Sequence, residues 1–202
     1  MSDAPLPVAP TVDSTRERIL SAAAAVLSRR GIAHTRLSEI AERAGVRPPA
    51  VYYHFPSREE LIAEVLRVGQ QQVRERVERA VGSLPPGASH VQRIAAACEA
   101  HVRIQVAMAD FAGAVSRNAP HATGPLHEEL HRESERYHDV WRTLLAEAVA
   151  AGEIRADLDP STARMLVIGA LNWATEWLSP TADVDRLATQ AVGLVTHGLR
   201  TR

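Results

Sequence analysis

The sequence predicts an all-α protein: a three-helix N-terminal helix-turn-helix domain followed by a six-helix C-terminal domain. Three observations lead there. Apolar residues recur at helical spacing in almost every block, with no sustained strand alternation and no internal repeat. Prolines, glycines and capping residues cut the 202 residues into helix-length segments. Near the N-terminus two short amphipathic stretches flank Gly45, giving the order short helix, tight turn, short helix.

Residues 1–12 hold Asp3, Pro5, Pro7 and Pro10, without a basic start or a continuous apolar stretch, and read as a flexible arm rather than a signal peptide. Residues 13–57 form the head. Ser14 stands three positions before Glu17, as in a capping box, and Ile19, Ala23, Val26 and Leu27 make an apolar stripe ending before Gly31. Leu37, Ile40, Ala41 and Ala44 give the second helix its inner side, after which Gly45 can take the positive backbone angle of a sharp turn. The third helix begins near Pro48, buries Val51 and Phe55 one turn apart, and is ended by Pro56.

Residues 58–202 form the body. Ser57 with Glu60 suggests a second capping box for a long fourth helix carrying Leu61, Ile62, Val65, Val73 and Val77. Ser89 with Gln92 caps a helix expected to run to about Val115; Asn118, Pro120, Gly124 and Pro125 then break the chain. The next helix runs from about Leu126 to Ala151 and stops at Gly152. Asp159 as cap and Pro160 at the first helical position open an unusually apolar helix ending before Pro180, and a last helix spans roughly Val184 to Leu199.

Hydrophobic residues are 46% and charged residues 23% of the chain, a globular composition. The strongly apolar stretch from Met165 to Ala174, interrupted by Asn172, is far short of the ~20 residues that cross a bilayer, so no membrane partner is expected. A single cysteine, Cys98, excludes an internal disulfide and suits a reducing cytoplasm, the expected location. The formal net charge is -1 and all 23 basic residues are arginine, so a surface for nucleic acid must come from local placement, as with Arg36, Arg43, Arg47 and Arg58.

Locked by Ile40, Ala44 and Val51, the two short helices leave the first turn of the third projecting, where a helix can enter the roughly 12 Å major groove of DNA. Its exposed candidates are Pro48, Pro49, Ala50 and Tyr53, which can touch thymine methyl groups. Arg47 at the helix entrance is the side chain best suited to a purine edge or a phosphate. Arg36, Ser38, Tyr52, His54 and Arg58 are better placed for the DNA backbone, with help from the amides that open helices two and four.

The run from Leu37 to Val46, LSEIAERAGV, followed by Pro49 to Leu61, PAVYYHFPSREEL, resembles the N-terminal domain of TetR-type repressors over about Arg16 to Leu66. The resemblance implies that Ser38, Pro49, Ala50, Tyr52, Tyr53, His54 and Arg58 approach DNA, and that operator double-stranded DNA is a partner. Members commonly have Ser or Thr where this chain has Arg36 and Arg47. The first departure removes a capping box with Glu39 and leaves Thr35 as a fallback cap for the second helix.

In the body, Met165, Ile168, Gly169 and Trp177 on one helix and Leu187, Ala191, Leu194 and Val195 on the last form apolar faces that, paired with their copies, make the four-helix interface of a homodimer. A fully internal location is the competing reading. Phe111, Val115, Trp141, Leu144 and Leu145 can line an apolar chamber, with Met108 adapting to an irregular ligand and Arg103 or Arg117 meeting a phosphate or carboxylate. Asn172 can orient a carbonyl or thioester; Trp173 packs either the dimer or the pocket floor. The ending LNWATEWL from Leu171 to Leu178, before Pro180, resembles TetR-type regulators of fatty-acid and sterol catabolism, several of which respond to coenzyme A thioesters. That resemblance implies an acyl-CoA-like effector; another hydrophobic metabolite or drug, or no ligand, stays open.

His127-Glu128-Glu129-Leu130-His131 matches the HExxH pattern of zinc hydrolases, with Glu135, His138 or Glu147 as possible third ligand. A polar helix face explains the same residues, and neither a metal nor a cofactor is expected. Cys98 among alanines reads as a packing residue. The preferred reading is a ligand-responsive repressor and not an enzyme; the alternatives are a helical adaptor that does not bind DNA and a metal-dependent hydrolase.

Overall fold

A computed structural model describes residues 14–177 and 183–200, with side chains as far as residue 174 in the first segment. The expected arm, the side chain of Trp177, and Leu178 and Pro180 lie outside the described residues. Nine α-helices occur among the described residues: α1 Thr15–Arg30, α2 Leu37–Ala44, α3 Pro48–His54, α4 Arg58–Gly82, α5 His90–Ala107, α6 Ala109–Asn118, α7 Gly124–Ala150, α8 Pro160–Trp177 and α9 Val184–Leu199. Local chemistry sets most of their ends. Ser14 and Glu17 close the expected capping box on α1, and Ser89 and Gln92 do the same on α5. Ser57 accepts from the Glu60 amide at 3.0 Å, and Asp159 accepts from the Thr162 amide at 2.8 Å.

Two expectations change. The helix expected from Ser89 to Val115 is broken at Met108, whose backbone leaves the helical region (φ -118, ψ 41), so that α6 can turn across α1 and α4. Thr35 does not cap α2. It is buried and its hydroxyl donates back to the Gly31 carbonyl at 2.8 Å, while Arg36 takes the cap position without a side-chain bond.

Two apolar cores hold the molecule together. The first joins Ile19, Leu27, Ile40, Val51 and Phe55 of the head to Leu61, Val65 and Leu66 of α4, then to Phe111 and Ala114 of α6 and Leu130 of α7. The second gathers Val77, Ile94, Cys98, Trp141, Leu145, Val167 and Leu171 between α4, α5, α7 and α8, with Ala188 and Leu199 of α9 against it. Complete burial of one such aliphatic side chain contributes about 1.5–3 kcal/mol. The head core therefore does not end at residue 57; helices of the body complete it.

Candidate functional site

The turn between α2 and α3 is built as its glycine demands. Gly45 sits in the left-handed region (φ 65, ψ 37), and the Val46 amide donates back to the Ala41 carbonyl at 3.0 Å. A side chain at 45 would meet no neighbour, so the constraint is the backbone angle alone. Beyond the turn, α3 turns Val51 into the core, and Phe55 just past its end is buried under the Arg16 guanidinium, 4.9 Å above the ring centre. Its other face looks outward: Pro48 and Pro49 are exposed, Tyr52 is 55% and Tyr53 85% exposed, and the rings of Tyr53 and His54 meet edge-on at 5.1 Å. Ala50 and His54 are half-buried at the edge of that face.

Arg36, Ser38, Arg43 and Arg47 are exposed around the same surface. A shallow groove between the starts of α2 and α4 is lined by Arg36, Tyr52, Ser57 and Arg58, among others. Arg58 differs from expectation. Its Nε donates to the Thr35 carbonyl at 2.9 Å and its Nη2 to the Ile32 carbonyl, so the guanidinium ties the start of α4 to the entry of α2 rather than standing free. The Arg30–Glu39 pair at 2.9 Å and the Arg16–Glu64 pair at 2.6 Å add links from α1 to α2 and to α4.

In the body, a cavity of about 190 Å³ lies where α4, α5, α6, α7 and α8 meet. Its walls are Gly69, Gln70 and Val73 of α4, Gln105 of α5, Ala112, Val115 and Ser116 of α6, Glu133, Ser134, Tyr137 and His138 of α7, and Ile168 and Asn172 of α8. Beside it runs a buried polar chain. His101 Nδ1 is hydrogen-bonded to the Tyr137 hydroxyl, and Gln105 Nε2 lies 3.3 Å from His101 Nε2 and donates to Asn172 Oδ1 at 2.8 Å. Burial pushes the His101 imidazole down to about 4, hence neutral at ordinary pH, and pushes the Tyr137 hydroxyl up. Burial and the nearby Arg164 cation lower His138 as well.

Of the residues expected to line a chamber, the structure places only some at this cavity. Val115 and Asn172 line the cavity. Trp141, Leu144 and Leu145 are enclosed in the second core, and Phe111 fills the first, where Met108 packs beside it. Arg103 is held by Glu99 at 2.9 Å and by Asp185 of α9, while Arg117 stands exposed on α6. Trp173 is 63% exposed and faces away from the cavity. Phe111, Trp141, Leu144 and Leu145, large enough to suggest a chamber, are used to fill cores, while the open space is lined by polar residues of α4, α5, α6, α7 and α8 beside Val73, Ala112, Val115 and Ile168. Gln105, one turn after His101 on α5, was the available signal.

The apolar outer face of α8 and α9 holds Met165, Leu166, Trp173 and Leu194, the last 76% exposed, with Gly169 open to approach. Leu187, Ala191 and Val195 are half-buried against the second core. Ile168, expected on this face, is buried and lines the cavity; at about 100° per residue it stands on the opposite side of the helix from Leu166 and at the inner border of the face that Met165 holds.

A link absent from the sequence reading joins cavity to head. Asn118, the last residue of α6, is buried; its Oδ1 accepts from the Ile32 amide at 2.8 Å, and its Nδ2 donates to the Ala114 carbonyl at 2.7 Å and the Leu27 carbonyl at 3.3 Å. Helix α6 also crosses α4 so closely at Gly69 that a Cβ there would stand 2.6 Å from Val115 Cγ2. The HExxH residues lie elsewhere: His127 and His131 stack on the exposed side of α7 with ring centres 6.2 Å apart, and Glu128 pairs with Arg132. No group of three or more metal-ligating side chains gathers there or elsewhere among the described residues. Cys98 is buried, its thiol pushed up to about 12. No helix among the described residues is long and apolar enough to cross a membrane.

Residues 19–65 match the family described as bacterial regulatory proteins, tetR family, and residues 87–199 match the tetracyclin repressor-like C-terminal domain. The HTH-type transcriptional repressor KstR2 of Rhodococcus jostii (strain RHA1) is 26% identical over 187 residues, covering 91% of this chain and 90% of that protein. The solved structure of the ketosteroid transcriptional regulator KstR2 of Mycobacterium tuberculosis superposes with a TM-score of 0.86 at 22% identity, covering 95% of this chain and 98% of that one. The transcriptional regulator FadR from Bacillus subtilis, solved in complex with stearoyl-CoA, superposes with a TM-score of 0.69 at 21% identity, covering 91% and 98%. With its glycine turn, outward α3 face and helical body matched by both domains of one family, the chain belongs to the TetR family of bacterial regulatory proteins, as a transcriptional repressor and not an enzyme.

Proposed function

We propose that the chain works as a homodimer whose hold on operator DNA is loosened by a small effector bound among α4 to α8. The outward face of α3 carries the first half of this reading: Tyr53, Pro49 and Ala50 meet base edges and thymine methyls, Tyr52 turns to the DNA backbone beside Arg36, and Arg47 extends from the entrance of the helix. Arg36, Ser38 and His54 contact phosphates, and Arg58 acts by fixing the two helix starts that flank the groove. The exposed face of α8 and α9 supports pairing, since Leu166, Trp173 and Leu194 leave an apolar patch of a kind that single chains rarely keep in water.

Effector control is supported by the position of the cavity. Its α6 wall ends in the Asn118 hook and its α4 wall begins at the head, so a ligand that prefers one arrangement of these helices biases the spacing of two heads. An acyl-CoA-like effector is favoured by the FadR likeness and by a polar groove of about 340 Å³ that shares Gln70 and Glu133 with the cavity. Arg67, Arg74, Arg132 and Arg136 line it, each paired with a carboxylate of Glu64, Glu78, Glu128, Glu129 or Glu133, so a phosphate would bind there by sharing these guanidinium groups. The small cavity favours a second reading, a compact metabolite without a nucleotide. Selecting genomic fragments on the purified protein, then titrating the retained fragments with acyl-CoA thioesters of graded length, tests both halves. Retention of specific fragments and their release by a thioester is the expected result; no preference for any genomic fragment over random DNA defeats the reading.

A further inference from the structure

The cavity leaves buried polar atoms without partners among the described residues: two amide oxygens, and His138 Nδ1, whose role depends on its tautomer. Gln105 is 7% exposed and its Oε1 has no hydrogen-bond partner among the described residues. Its amide orientation is committed at the other end, where Nε2 donates to Asn172 Oδ1, so the carbonyl oxygen is the end left over. Gln70, on the opposite wall, also has a buried, unpartnered Oε1. Native proteins keep few such atoms, because a buried amide oxygen loses its water and gains nothing in return.

Charge around the cavity narrows what can fill it. No arginine lines it, and its one acidic wall residue, Glu133, is held by Arg74. An anion placed inside meets a carboxylate and no free cation on the walls. Val73, Ala112, Val115 and Ile168 supply apolar sides, and about 190 Å³ falls below the roughly 300 Å³ at which drug-sized ligands begin to be enclosed. Resting on the reading of this cavity as the effector site, we propose that the part of the effector held here is a small uncharged alcohol or amide that donates hydrogen bonds to the carbonyl oxygens of Gln105 and Gln70, rather than a bare hydrocarbon or an anion.

Four six-carbon-ring probes test this on the full-length protein by calorimetric titration: cyclohexanol and cyclohexanecarboxamide as donors, cyclohexanone as an acceptor of the same size, and cyclohexanecarboxylate as the anion. The donors bind about tenfold more tightly than cyclohexanone and the carboxylate, the worth of one well-made hydrogen bond. Gln105→Leu brings the ratio of cyclohexanol to cyclohexanone affinity near one while cyclohexanone still binds, and Gln70→Leu, at a less buried position, reduces it part of the way. Equal affinity for alcohol and ketone, tighter binding of the carboxylate, no saturable binding of cyclohexanol, or a preference unchanged in both variants overturns the proposal. Operator retention is measured on the same protein without a probe: fragments retained with no donor preference defeat the ligand chemistry alone, and a donor preference without any retained fragment defeats the regulator reading alone.

Discussion

Tyr53 and Arg47 present the clearest case in which a single side chain is positioned for contact and for little else. Tyr53 is 85% exposed and Arg47 stands outside the core at the α3 entrance, so exchanging either for alanine leaves the thermal midpoint nearly unchanged. Operator affinity falls, by about 1–3 kcal/mol for each side chain that reaches a base, and both variants show an altered sequence preference, at the thymine positions for Tyr53→Ala and at a purine for Arg47→Ala. Fluorescence anisotropy on a panel of operator variants at fixed salt checks this. Arg58→Ala behaves differently because the guanidinium holds the Ile32 and Thr35 carbonyls: the protein loses about 1–3 kcal/mol of stability in denaturant melts together with its DNA affinity. His101 supplies a pH signature. The folded ring stays neutral down to about 4, whereas an unfolded imidazole takes up its proton near 6.5, so the unfolded chain binds more protons between those values and stability falls as pH falls through that window. The loss reaches roughly 3 kcal/mol at its full extent, and His101→Gln flattens that part of a urea-melt pH series. The Gly45 turn and the outward face of α3 were legible in sequence because turn chemistry and helical phase are local; the Arg58 bonds were not, since they join groups 23 and 26 positions apart.

At the scale of elements, caps and glycine turns let most helix boundaries be read directly, as with Ser14 on α1, Ser89 on α5 and Asp159 on α8. The break at Met108 escaped because no proline, glycine or capping residue marks it; tertiary packing of α6 across α1 and α4 imposes it. The cavity escaped for a related reason, since it depends on which faces of five helices meet. Under the proposed function, helix α6 is the element that links cavity and head. Asn118→Ala leaves the Ile32 amide without its acceptor and costs about 1–3 kcal/mol of stability, and the variant retains operator binding while its response to effector weakens. Effector titrations against preformed operator complex measure this; an unchanged release curve assigns the signal to α4 alone.

For the whole molecule, a formal charge of -1 requires that attraction to DNA come from locally gathered arginines, and the proposed pairing rests on the apolar outer face of α8 and α9. The Leu194→Arg and Trp173→Glu variants place charges on that outer face, and each lowers the fraction of dimer seen in sedimentation at micromolar concentration while leaving the helical circular-dichroism signal intact. Operator affinity then drops steeply, since one head alone grips one half-site. Sequence periodicity identified these faces as apolar; it could not tell Ile168, turned to the cavity, from Met165, turned outward, because both phases of α8 are hydrophobic.

The way Phe111, Ala114 and Leu130 complete the core beneath α1 to α3 limits how this protein can be taken apart. A fragment cut after residue 57 would present a bare hydrophobic underside to water, and grafting that fragment onto an unrelated body would leave it unsupported. Chimeras that exchange operator specificity between regulators of this shape therefore succeed when the recipient's α4 and α6 offer a matching seat, and the natural unit of exchange is the outward face of α3 rather than the head as a whole.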